Sequence, residues 1–173
     1  VSIPTIAVVV GSLRSQSINR RLADALARLA GARARFQLIA LDALPLYNQD
    51  HDADYPAACV QFKQHIAQAD AVLFVTPEYN RSIPGVLKNA IDIGSRPYGK
   101  SVWAGKPAAV CGTSPGVTGT AMAQQHLRNV LAHLDMQVLA QPEVFLKMSE
   151  ELIDSQGQIS NPGTEKFLGG FVD

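Results

Sequence analysis

Three stretches of this chain gather side chains able to hold and orient a ligand: GSLRSQSIN at residues 11–19, TPEYNRSIPG at 76–85 and GTSPGVTGT at 112–120. The first offers the hydroxyls of Ser12, Ser15 and Ser17, the amide of Asn19 and the guanidinium of Arg14, just where a helical pattern begins. A helix N-terminus points its unpaired N–H groups and the positive end of its dipole in one direction. Hydroxyls can crowd the terminal oxygens of a phosphate, and an arginine adds a charge-assisted contact. That donor set suits a phosphate monoester. A pyrophosphate pressed against backbone would call for GxGxxG, and a transferable γ-phosphate for the lysine of GxxxxGK[ST]; neither pattern is present. The competing reading is that Ser17 only caps a helix while Arg14 stands in solvent.

In the second stretch Pro77 and Pro84 stiffen a turn that presents Glu78, Tyr79 and Asn80. A flat heteroaromatic ring could lie beside Tyr79, with backbone groups reaching its polar edge. The third stretch supplies Thr113, Ser114, Gly116 and Gly119, which could border such a ring from its other side. Taken singly, Tyr79 is equally a surface aromatic, Glu78 a solvated charge and SPGVTG a flexible turn.

These loops need elements to place them. Runs dense in Val, Ile, Leu and Ala at Ile3–Val10, Ala34–Leu41, Ala71–Thr76 and Pro107–Cys111 have strand length, and the first, third and fourth are apolar on both faces. Strands of that kind are covered by helices on two sides. A fifth run, Met136–Ala140, is followed by Pro142 and by Val144–Leu146, which predicts a last strand that is broken or bulged. Helical spacing occupies Ile18–Leu29, capped by Ser17 and ended by Gly31, then Ala57–Ala67, the stretch from Val86 with Pro84 in its first turn, Met122–Leu134 and Thr164–Val172. Alternating strand and helix predict an α/β chain, a doubly wound parallel sheet with helices on both faces and one domain over residues 1–173. In such sheets ligands bind beyond the carboxyl ends of the strands, where the three polar loops fall.

Composition narrows the function. Fifteen basic and fifteen acidic residues balance, so no overall positive field recommends nucleic acid or an anionic membrane. The two cysteines, Cys59 and Cys111, have no CxxC spacing, and His51, His65, His126 and His133 show no ligand spacing; thiols are expected to be inert, metal absent and the compartment the reducing cytoplasm. No membrane span or signal peptide is expected.

The segments GSLRxxSxNRxL, TPEYNxSIPGxLKNAID, SRPYGxxxWAGKP and SPGxxGxxxxxxHLR together resemble the NAD(P)H-dependent FMN reductases, in particular their quinone and chromate reductase branch, over nearly the whole chain and in order. The resemblance implies a flavodoxin-like fold with a five-stranded sheet. It implies that Ser12, Arg14, Ser17 and Asn19 bind the FMN phosphate, that Pro77, Glu78, Tyr79 and Asn80 line the isoalloxazine, and that Ser114, Gly116 and Gly119 border its other edge. It further implies hydride transfer from NAD(P)H through FMN to a small acceptor such as a quinone, flavin, chromate or azo compound, by a ping-pong cycle with no catalytic side chain. The family is also expected to form homo-oligomers, dimers or tetramers, with His126 and Arg128 on a contacting helix, and its terminal helix runs on past GGFVD. Two residues depart from the pattern: Ile93 and Gly94 follow NAID where the family places an aromatic and a small residue, which predicts a looser helix end. A flavodoxin-like electron carrier is the main rival; such carriers are strongly acidic, and this chain is neutral.

Overall fold

The computed structural model describes residues 2–173, and its centre is one parallel sheet. Strands β1 (Thr5–Val10), β2 (Arg35–Leu38), β3 (Ala71–Val75) and β4 (Pro107–Ser114) lie in the order β2-β1-β3-β4. The fifth position is filled by two pieces, β5 (Gln137–Val138) and β6 (Val144–Lys147). β5 pairs with Pro107 and Ala108, while β6 pairs with Cys111 to Ser114. The expected sheet is therefore present with its last strand interrupted around Pro142, and β4 runs three residues further than its apolar run because β6 gives those residues a partner.

Helices α1 (Ile18–Ala30) and α5 (Pro162–Val172) cover one face; α2 (Ala57–Gln68), α3 (Gly85–Ser95) and α4 (Ala121–His133) cover the other. Strand side chains alternate between the two cores. Val8, Val10, Leu73, Val75 and Cys111 pack with Leu22, Leu26, Leu168 and Phe171, whereas Ala7, Val9, Val72, Phe74 and Val110 pack with Phe62, Ile66, Leu87, Ile91 and Leu127. That double burial is why the central strands read as unbroken apolar runs. β2 is shorter than its run and lies at the sheet edge; just past its end Ile39 N still donates to Val8 O at 2.9 Å, and Ile39 and Leu41 turn into the core. None of the helices among the described residues is long and apolar enough to cross a membrane.

Two local results differ from the sequence reading. Pro84 stands just outside α3, its carbonyl accepting from Leu87 and Lys88 N–H at 3.1 Å, rather than in the first turn. The end of α3 is also filled, not loose. Ile93 is 1 % exposed, and a Cβ at Gly94 would stand 2.5 Å from the ring of Trp103. That indole is wholly buried, donates from Nε1 to Ile91 O at 2.9 Å and meets Phe62 and Phe74 with centroids 6.1 and 5.8 Å away. The irregular segment 42–55 is held down by Asn89 of the same helix, which accepts from Tyr47 N at 2.8 Å and donates to Pro45 O at 2.9 Å.

Candidate active site

The carboxyl ends of β1, β3 and β4 lie side by side. Gly11 N donates to Val75 O at 2.9 Å and Thr76 N to Cys111 O at 3.0 Å, so the three polar loops leave the sheet as neighbours at the point where the strand order reverses.

In the first loop Ser17 is the N-cap of α1, its Oγ accepting from Arg20 N at 3.3 Å. Leu13, Arg14, Ser15 and Gln16 are exposed, Ser12 is partly so, and Ser12 Oγ accepts from Arg14 N at 3.4 Å. Asn19 has a different setting. It is 2 % exposed, and its amide is engaged at both ends by one residue: Nδ2 donates to Thr113 O and Oδ1 accepts from Thr113 N, each at 2.9 Å. Asn19 thereby clamps the start of α1 to the end of β4.

In the second loop Tyr79 and Ser82 exchange two backbone hydrogen bonds of 3.0 Å, closing a tight hairpin over Asn80 and Arg81. Both of those residues are left-handed, with φ of 52° and 65°, the signature of a type I′ turn. Tyr79 is half exposed at this tip. Glu78 faces the other way: its Oε2 accepts from Met122 N at 3.0 Å and Ala123 N at 3.2 Å, satisfying the first turn of α4 in the manner of a capping carboxylate. Ser82 Oγ lies 3.0 Å from His126 Nδ1 on that helix. Sequence reading saw neither tie, because each joins residues 44 apart.

The third loop is tightened from within. Ser114 Oγ donates to Gly119 O at 2.6 Å and accepts from Gly116 N at 3.2 Å. Gly119 has φ of 57°, and a Cβ there would come within 2.8 Å of the backbone of Phe145, so the position excludes other residues on two counts. Behind the loop buried Gln124 donates to Thr120 Oγ1 at 2.9 Å and Val144 O at 2.7 Å, two further partners that sequence reading missed. Thr120 and Gln124 are four residues apart on one helix face, and that spacing was the available signal. Burial pushes the Cys111 thiol up, so it stays protonated beneath the loops.

A family model described as NADPH-dependent FMN reductase matches residues 4–151. This chain belongs to the NADPH-dependent FMN reductase family. It is 55 % identical over 168 residues to a 2-hydroxy-1,4-benzoquinone reductase of Burkholderia sp, covering 97 % of this chain and 92 % of the relative. It is 48 % identical over 170 residues to a quinone reductase of Pseudomonas putida, covering 98 % and 91 %. The solved structure of FerB, a flavoenzyme NAD(P)H:(acceptor) oxidoreductase from Paracoccus denitrificans, superposes with a TM-score of 0.95 at 48 % identity, over 99 % of this chain and 94 % of that one.

The residues at the carboxyl edge fit the family's FMN. Ser12 and Arg14 just before α1 and Ser17 at its N-cap are of residue types that suit a phosphate monoester, and the space above Gly116 is open: a Cβ there would meet only Ser114 Oγ, at 3.6 Å. A second recess, an apolar groove of 660 Å³ lined by Pro4, Phe36, Ala108, Val138 and Phe171, opens at the amino ends of the same strands. It shares no residue with the three loops and lies at the wrong end of a doubly wound sheet for the cofactor.

Proposed function

We propose that residues 1–173 form one FMN-binding domain that oxidises NAD(P)H and reduces a small acceptor, a quinone first of all, in a ping-pong cycle. The observation that carries the reading is the convergence of the one-glycine serine and arginine loop with the Tyr79 hairpin at the switch between β1 and β3. Bound FMN would supply the relay of a hydride from NAD(P)H to the acceptor.

The chain's own residues have three tasks. Ser12, Arg14 and Ser17 hold the phosphate, while Asn19 keeps that loop against the end of β4. Pro77, Glu78, Tyr79 and Asn80 form the wall beside the ring; the backbone of this hairpin faces the ligand while the Glu78 carboxylate fixes it to α4. Ser114, Gly116 and Gly119 form the opposite border with backbone groups. The naming of the relatives for quinones supports a quinone as acceptor, and free flavin, chromate and azo compounds belong to the same exposed chemistry.

The subunits are proposed to pair, as dimers or tetramers, through α4. The resemblance of the HLR segment on that helix to the family supports this contact. The cytoplasm is the proposed location, supported by two free, buried thiols.

Adding FMN to purified protein tests the reading. Retained flavin that NADPH or NADH bleaches within the turnover time is the expected result. Protein that gains no flavin spectrum sinks it, and protein that binds flavin but is not reduced by either nicotinamide is an electron carrier instead.

A further inference from the structure

The two walls proposed to border the flavin ring, the Tyr79 hairpin and the third loop, come from different parts of the chain. The third loop runs straight into α4: Ala121 N donates to Thr118 O at 3.2 Å, and Thr120 stands at the N-cap. A helix start leaves N–H groups that the helix itself cannot satisfy, and a capping threonine ordinarily takes one with its hydroxyl. Thr120 takes none. Its Oγ1 accepts from Gln124 Nε2 at 2.9 Å, and the residue is wholly buried. The N–H groups of Met122 and Ala123 go to the Glu78 carboxylate, which reaches them from the hairpin at 3.0 and 3.2 Å with a side chain 9 % exposed.

That contact closes a frame. On its far side the third loop is stopped by β6, since a Cβ at Gly119 would lie 2.8 Å from the Phe145 carbonyl carbon. On its near side Glu78 joins the start of α4 to the hairpin, and Ser82 Oγ, 3.0 Å from His126 Nδ1, repeats the tie one turn later. The first loop has a support of its own, the Asn19 amide on Thr113. The ring end and the phosphate end are thus held by different side chains.

Resting on the functional reading above, we propose that Glu78 is the positioning residue of the ring site: the reach of its side chain sets the gap between the hairpin and the third loop, and so the grip on the ring but not on the phosphate. Its charge suits the positive end of the α4 dipole. Reach decides the spacing, however, because both bonds go to the single oxygen Oε2, which an amide of the same length can replace. The other oxygen faces Arg81 Nη1 at 3.7 Å, and that arginine stands in solvent.

Fluorescence titration of cofactor-free protein with FMN and with riboflavin is the test. Glu78→Ala should weaken both flavins by the same factor, about tenfold, which is what losing one hydrogen bond to a charged group amounts to. Glu78→Gln keeps the reach and should stay within about threefold of wild type, as expected when neutral bonds replace charge-assisted ones. Glu78→Asp keeps the charge but is one methylene short, and should behave as Glu78→Ala does. Hydrogen exchange at the Met122 and Ala123 amides should be slow in wild type and Glu78→Gln and faster in the other two.

A residue needed only for folding would lower the urea midpoint and leave the affinity of folded protein for both flavins unchanged, and that result overturns the assignment. So does a loss confined to FMN. Rescue by Asp and not by Gln overturns it as well, since charge would then be the operative property. If Glu78→Ala does not fold, Glu78→Gln against Glu78→Asp carries the same comparison. Wild-type protein that binds neither flavin overturns the functional reading beneath, and that failure shows before any variant is compared.

Discussion

Asn19 and Thr113 are joined by two hydrogen bonds of 2.9 Å, from the first turn of α1 to the backbone near the end of β4, and both residues are buried. One side chain thus fixes the distance between the loop proposed to hold a phosphate and the loop proposed to border a ring.

Asn19→Ala leaves a buried N–H and a buried C=O of Thr113 unpaired. An unfolding cost of about 2–4 kcal/mol is expected, with each orphaned group contributing about 1–3 kcal/mol. Urea denaturation of the protein without cofactor measures it. FMN retention should fall as well, and a variant of unchanged stability with weaker FMN binding would make Asn19 a direct ligand instead.

Arg14→Ala combined with Ser17→Ala should weaken FMN binding far more than riboflavin binding, because only FMN carries the phosphate. Fluorescence titration with both flavins measures the difference. Equal weakening would mean that the phosphate lies elsewhere.

Gly94→Ala drives a methyl group into the Trp103 ring and should cost about 1–3 kcal/mol, the usual range for overpacking. Trp103→Phe is costly alone, since it opens space and removes the hydrogen bond to Ile91 O. The double variant should be less destabilised than the sum of the two, as thermal unfolding of all four proteins will report. Strict additivity would show that the two positions do not share this space.

Arg81 carries a side chain in left-handed backbone, a conformation that costs an L-residue about 1–2 kcal/mol. Arg81→Gly should leave stability equal or slightly higher, because the Arg81 end of its 3.7 Å ion pair with Glu78 stands in solvent, while the buried Glu78 carboxylate keeps its two N–H partners on α4. Arg81→Val, β-branched at the same φ, should lower the unfolding midpoint in urea.

Alkaline pH should destabilise the fold through its thiols. Burial raises Cys59 and Cys111, so the folded chain keeps protons that the unfolded chain releases above the ordinary thiol value of about 8.5. The stabilisation is complete below that pH and is lost as pH rises past it; Tyr55, raised by burial, adds to the loss above about 10. Urea midpoints from pH 7 to 10 should decline, less steeply in Cys59→Ala and Cys111→Ala protein.

The sheet was legible because two-sided burial writes strands as short apolar runs, and Pro142 announced the interruption of the last one. The loops were legible as neighbours because doubly wound topology puts alternate loops on one edge. Side-chain direction was not. Glu78 bonds N–H groups of α4, and Asn19 the backbone of β4, over separations of 44 and 94 residues that no local pattern encodes. The end of α3 misled for the same reason: Gly94 looks like a void until Trp103, nine positions later, arrives to fill it.

The interruption of the fifth strand has a bearing on assembly. On that side the sheet ends in pieces of two and four residues separated by a proline, and on the other side in the four residues of β2. Neither border offers a long straight row of free N–H and C=O groups on which another chain could build. A continuous sheet running from one copy into the next is therefore the mode of association that these borders disfavour.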